Sequence, residues 1–227
     1  MAVDKKEMKW GEFASEEEWM FSHYIEELHA HGWIKSYEYQ PQSFELCPRV
    51  HRHVFVKRPK SVNPEYLIMV RPHVYTPDWR IIWSEDADGI FTWSPGKTYW
   101  PKFREHNENR WEEYLPFMCE NLESFIDVKA PFLTRTKSSD ITFPLNQKWV
   151  LDKHGKYVQK CVVSVRKEGI FHRTFSPEYL INNLVYRASG TNHVVGDSKL
   201  KNITVRTLEE FLNVKHGYKK KESKKYF

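Results

Sequence analysis

The chain predicts an α/β (α+β) fold, a central mixed β-sheet flanked by helices. Three observations carry this: a capped amphipathic stretch near the start, a train of short apolar or alternating runs behind it, and a second helical stretch ahead of one more apolar run. At 227 residues the chain is long enough for one elaborated domain, or one domain with an appendage. A hydrophobic share of 40% beside 29% charged residues excludes disorder throughout. No apolar run approaches the roughly 20 residues of a membrane span, and the charged opening from Met1 to Trp10 is unlike a signal peptide, so a soluble, cytoplasmic protein is expected. Cys47, Cys119 and Cys161 are odd in number and far apart, which argues for reduced thiols rather than a disulfide framework or zinc knuckle.

The elements follow in order. Ser15 to His31 reads as a helix: Ser15 can cap, Glu18 stands three residues on as a capping-box partner, Phe21, Ile25 and Leu28 share one stripe, and Gly32 ends it. Glu18 falls on that core-facing stripe. Ile34 to Leu46, broken by Pro41, reads as two short strands or a strand and a bend. Val50 to Lys57 alternates as a strand with a basic face, and Tyr66 to His73 and Trp79 to Trp83 are short apolar runs of strand type. Ser84 to Gly89 reads as a turn and Ile90 to Trp93 as a returning hairpin strand. Residues 94–124 break the rhythm with prolines and polar residues, so an insertion is expected at about 84–124, with one helix-like stretch around Arg110 to Cys119. Phe125 to Lys129 resumes a buried strand, Leu145 to Asp152 a short helix, and Tyr157 to Arg166 a strand. The expected division is a core at 1–169 and a C-terminal extension at 170–227 that ends in a basic tail.

Chemistry is suggested where charges interrupt strands. Asp127 and Lys129 lie two apart in FIDVK and share one face, while Ile126 and Val128 point to the opposite layer. Burying them costs several kcal/mol per unpaired ion, so they must pair with each other or reach water at the strand end. Asp78 stands directly before the apolar WRIIW run. If that strand neighbours FIDVK, two carboxylates meet, and a hard divalent cation is the usual remedy for their repulsion. Mg²⁺ takes one or two carboxylates, keeps waters and leaves room for phosphate oxygens.

Thr76-Pro77-Asp78 followed by Asp127-Val128-Lys129 resembles the PD-(D/E)XK nuclease superfamily. Upstream, Ser15, Glu18, Ile25, Leu28, Gly32 and Ile34, then Tyr39-Gln40-Pro41 and Phe44-Glu45-Leu46, resemble the opening of small phage-associated nucleases of that superfamily, including Holliday-junction-resolvase-like members. The resemblance spans about residues 15–166. It implies a restriction-endonuclease-like core, with Asp78 and Asp127 as metal ligands, Lys129 as the catalytic lysine, Glu18 as a further acid from the helix, and Gln147 as an accessory polar group for which Lys148 competes. It also implies Mg²⁺, or Mn²⁺ in its place, as cofactor, DNA as partner, and a homodimer if the substrate is a branched junction. A phage-encoded enzyme of this kind would work in the bacterial host cytoplasm. The chain departs from the pattern twice: the stretch between Asp78 and Asp127 is longer than the family's usual short hairpin, and Ala130-Pro131 follows the lysine where relatives often carry glycine.

The expected function is therefore metal-dependent endonucleolytic hydrolysis of DNA phosphodiester bonds, in phage recombination, repair or genome processing. The alternative is a nuclease-fold protein that binds nucleic acid after its chemistry has lapsed. Charge placement agrees with either: Arg49, Arg52, Lys57 and Arg58 cluster with Lys60, His51 and His53 and no acid, and with Lys148 they form the expected nucleic-acid-binding set. Trp93, Tyr99, Trp100 and Phe103 are candidates for base stacking or for a small secondary core. His29-x-His31 and His51-x-His53 lack the partners of a zinc site, and there is no GxSxG elbow, Walker loop or GxGxxG.

Overall fold

A computed structural model of the protein describes residues 10–58, 61–94, 115–116, 118, 120–130, 138–165, 169–183, 186–188, 191–193 and 205–216. The aromatics Tyr99, Trp100 and Phe103, the tail beyond His216 and most of the expected helical stretch from Arg110 to Cys119 lie outside them; the described residues of that stretch, 115, 116 and 118, are not helical.

Helix α1 runs Glu16–Ala30. Its N-cap Ser15 accepts from the Glu18 amide at 3.2 Å, and Gly32 takes a positive φ of 79° just past its end. Five strands follow: β1 (Ile34–Tyr39), β2 (Phe44–Cys47), β3 (Val50–Arg58), β4 (Ser61–Val70) and β5 (His73–Tyr75). The chain then enters β6 (Trp79–Trp83) and later β7 (Glu123–Lys129). Helix α2 (Ser138–His154) leads to β8 (Val158–Val162). Short helices α3 (Ile170–Arg173) and α4 (Glu178–Asn183), a small hairpin of β9 (Tyr186–Ala188) and β10 (Thr191–His193), and α5 (Leu208–His216) complete the described chain.

The central sheet has the order β1-β6-β7-β8. Its first three strands are antiparallel neighbours, whereas β8 lies parallel to β7 and is reached through α2, so the sheet is mixed and the fold is α+β. Strand β7 is buried along nearly its whole length because both of its faces are covered. Ile126 and Val128 join the larger core with Phe21, Tyr24, Ile25 and Leu28 of α1, while Phe125 joins a second core with Phe143 and Val150 of α2. Described residues of the C-terminal extension, among them Ile170, Phe175 and Phe211, are part of the larger core.

Several boundaries differ from expectation. Helix α2 is twice as long as the predicted Leu145 to Asp152 stretch and continues through Pro144. Ile90 to Trp93 holds bridge positions rather than a described strand: Thr92 bridges to Asp88, and Trp93 exchanges backbone bonds with Pro116 and Met118. The apolar run after Tyr66 is a strand, but Leu67, Ile68, Met69 and Val70 are exposed rather than buried.

Candidate functional site

Strand order decides which charges meet. The last β6–β7 pair, Trp79 with Ile126, leaves Asp78 one step further on and opposite Asp127. At that point the Asp78 side chain takes over the ladder's role, its Oδ2 accepting from the Val128 amide at 2.6 Å. Asp127 is buried at 5% exposure. Its Oδ1 accepts from Lys129 Nζ at 2.6 Å and its Oδ2 from the Tyr75 hydroxyl at 2.8 Å. Lys129 Nζ also lies 5.9 Å from the centre of the Phe143 ring, so α2 covers it from the other side. In the parallel register Lys160 of β8 stands beside Asp127.

Glu18 arrives from the first turn of α1, where Ser15 Oγ donates to its Oε1 at 2.8 Å. The Tyr39 hydroxyl donates to its Oε2 at 2.7 Å. Gln40 then adopts a positive φ of 46°, and its amide donates to the Asp78 carbonyl at 2.7 Å, which ties the end of β1 to the start of β6. Glu18 therefore both closes the helix cap and faces the site.

The electrostatics is unbalanced. Asp78 is pushed up to about 8, first by burial, then by the Asp127 and Glu18 carboxylates, against the Val128 amide that pulls it down. Burial and the same acids raise both tyrosines, Tyr75 near Asp127 and Tyr39 near Glu18, so each hydroxyl keeps the proton it donates to its carboxylate, and the Tyr39 oxygen also accepts from the Ala14 amide and the Gln40 side-chain amide. Lys129 thus pairs with Asp127 where the carboxylates of Asp78, Asp127 and Glu18 come within electrostatic reach of one another. Among the described residues no three His, Cys, Asp or Glu side chains form a ready ligand cage. The donor set still suits Mg²⁺, which needs one or two carboxylates and fills its other positions with water and phosphate oxygen. Asp78 and Asp127 would hold it, with Glu18 within electrostatic reach.

The structure thus gathers Asp78, Asp127, Lys129 and Glu18. Gln147 is half-buried on α2, and its amide donates to the Val158 carbonyl at 2.6 Å; none of its described hydrogen bonds reaches the carboxylates. Lys148 is exposed next to it. Arg49 and Arg52 are exposed at the base of a β-ribbon, and Lys57 and Arg58 lie further along β3. Tyr75 and Tyr39 were missed as site residues. Their signal was proximity in sequence, Tyr75 three residues before Asp78 and Tyr39 at the β1 end, but only the tertiary pairing reveals which acid each one serves.

No family model matches the chain, and no curated protein and no solved structure is similar to it at a significant level.

Proposed function

We propose that the protein is a metal-dependent endonuclease that hydrolyses DNA phosphodiester bonds on a restriction-endonuclease-like core. The observation that carries the reading is the convergence of Asp78 and Asp127 at adjacent strand ends, with Lys129 on the same face and Glu18 entering from α1. Bound between the aspartates, Mg²⁺ would acidify a water and stabilise negative charge on a phosphodiester. Asp78 and Asp127 then serve as anchoring carboxylates. Tyr75 holds Asp127 in one orientation, and Lys129 supplies a cation within reach of a phosphate oxygen or of the attacking water. Glu18, fixed by Ser15 and Tyr39, adds negative charge that favours the cation.

A second reading is supported by one feature: both Asp127 oxygens already have partners inside the protein. That suits a nucleic-acid-binding protein that no longer cuts. The deciding experiment incubates the purified chain with labelled linear, branched and single-stranded DNA, with and without Mg²⁺ or Mn²⁺. Metal-dependent cleavage that disappears in Asp78→Asn supports the nuclease; cleavage that persists unchanged in that variant refutes this site. Binding to DNA with no cleavage under any metal selects the second reading.

A further inference from the structure

The segment 44–75 is one long antiparallel hairpin rather than four separate strands. Phe44 pairs with Tyr75 at its root, Val50 with Val70 midway and Arg58 with Ser61 at its far end, with register irregularities after Glu45 and after Val50. Pro48 and Pro72, which lack an amide hydrogen, stand where the ladder is interrupted between β2/β5 and β3/β4. The root is anchored. Phe44 and Leu46 are buried in the second core, the His154 ring bonds to the Glu45 carbonyl at 3.0 Å, Lys153 donates to the Leu46 carbonyl, and Tyr75 reaches Asp127.

Beyond the root the hairpin is a two-stranded ribbon, and nearest the root its described side chains are exposed on both faces. Opposite partners in an antiparallel pair share a face, so Arg52 and Leu67 lie on one side, and His51 and Ile68 on the other. All four are exposed, as are Val50, His53, Met69 and Val70. A solitary two-stranded ribbon is at best marginally stable in water. Its composition is lopsided too. Residues 49–71 contain Arg49, Arg52, Lys57, Arg58, Lys60 and Arg71 against the lone acid Glu65, so this segment carries the chain's entire formal surplus of +5 and the remaining residues balance.

Resting on the nuclease reading, we propose that the β3/β4 ribbon is the substrate-gripping arm of the enzyme and that it lies in the major groove of B-form duplex DNA. A two-stranded ribbon matches the width of that groove, whereas the deep, narrow major groove of A-form RNA excludes it. The nine residues of β3 extend about 30 Å, close to one turn of B-DNA. Arginine suits phosphates and guanine edges, and exposed Leu67 and Met69 suit thymine methyl groups. The arm also joins the chemistry directly, because the chain from Val70 through Tyr75 to Asp78 spans at most about 28 Å even when extended. Duplex held by the ribbon is thereby kept within reach of the paired aspartates.

The test measures binding of the full chain in EDTA, so that cleavage plays no part, to a labelled 25-base-pair DNA, its single strand and the same sequence as RNA duplex, from about 50 to 300 mM salt. The expected result is preference for duplex DNA, protection of guanine N7 from dimethyl sulfate, and a steep salt dependence. Arg49→Gln/Arg52→Gln should weaken duplex binding tenfold or more and flatten the log–log salt slope by about 2. Leu67→Ser/Met69→Ser should weaken binding while leaving that slope unchanged. Equal affinity for single strand or RNA duplex, unprotected guanines, or an arginine variant that binds like the parent overturns the arm. So does a dimer in solution that the Leu67/Met69 variant dissociates, since the ribbon would then serve a second copy of the chain. If the arm variants bind and cut normally while Asp78→Asn is dead, the nuclease reading survives alone. If arm-dependent duplex binding is present and nothing is cut, the arm survives alone.

Discussion

The two ends of β7 each bury a carboxylate, and they treat it in opposite ways. At the N-terminal end Glu123 is 5% exposed and receives Arg80 Nε and Lys156 Nζ, both at 2.7 Å. Burial pushes this carboxyl up, but the hydrogen bonds and charges of Lys156 and Arg80 outweigh it and hold it below the usual range. At the C-terminal end Asp127 is paired with Lys129, while Asp78 faces the Asp127 and Glu18 carboxylates and is driven upward. A buried acid with two cations is complete. Glu123 has two cations bonded to it, whereas Asp78 has one backbone amide and two neighbouring acids, and this imbalance is what the proposed metal at Asp78 and Asp127 would relieve.

The largest expected break comes from exchanging acids for amides at the two ends. Asp78→Asn keeps an acceptor for the Val128 amide and should leave the fold intact, yet lower Mg²⁺-dependent cleavage about a thousandfold or more, since several kcal/mol of charge stabilisation depends on the metal. Glu123→Gln should do the reverse. It leaves Lys156 without its anion and Arg80 with only the exposed Glu38 at 3.8 Å, and because both cations are over a third exposed the cost is screened to about 1–2 kcal/mol. Thermal melting should fall by several degrees while cleavage per folded molecule stays as in the parent. Loss of cleavage in both variants with equal loss of stability would erase the distinction between the ends.

The pH dependence should also divide the two ends. Asp78 has a folded value above its ordinary 3.8, so its stabilisation is complete below that value and is lost as pH rises through about 8. Glu123 has a lowered value, so its contribution is present above the ordinary carboxylate range and is lost as pH falls. Metal-free melting temperature should therefore decline from pH 5 to pH 8.5, and Asp78→Asn should flatten that decline. Glu123→Gln should flatten only the acid limb. Mg²⁺ must displace the proton on Asp78, so the melting shift it produces should grow from pH 6 to pH 8.5. A Mg²⁺ shift independent of pH, or one retained in Asp78→Asn, argues for binding elsewhere.

Much of this contrast was legible in the sequence and part was not. The α1 cap, its apolar stripe and the place of Glu18 follow from local periodicity, and Asp127 and Lys129 share a face because strand side chains alternate. Asp78 needed the strand order, which local patterns only suggest. The Glu123 cluster left no local signal, since Arg80 and Lys156 are brought to it by β6 pairing and by the approach to β8. The exposed fate of Leu67 to Val70 was equally hidden, because an apolar run reads the same whether a layer covers it or not. Gln147 is the opposite case: its position downstream of the lysine implied a site role, yet the helix directs its amide to the Val158 carbonyl.

The smallest effect is expected from the hydroxyl that orients the aspartate. Tyr75→Phe preserves the ring that packs against the second core and removes only the bond to Asp127 Oδ2. Burial and Asp127 keep the hydroxyl protonated, so the variant changes orientation without changing charge. Stability should drop by about 1 kcal/mol, the net worth of one such bond. A carboxylate that loses its supporting hydrogen bond typically loses about tenfold in metal affinity or activity, so the Mg²⁺ concentration at half-maximal cleavage should rise by about that factor while saturating Mg²⁺ restores most of the rate. Tyr39→Phe removes the matching bond to Glu18, along with those that the Tyr39 oxygen accepts from the Ala14 amide and the Gln40 side chain; Glu18 would influence the cation only at a distance, so the Mg²⁺ midpoint should move less. Equal shifts in the two phenylalanine variants would mean that Glu18 stands beside Asp127 as a direct ligand and that the site is a three-carboxylate centre.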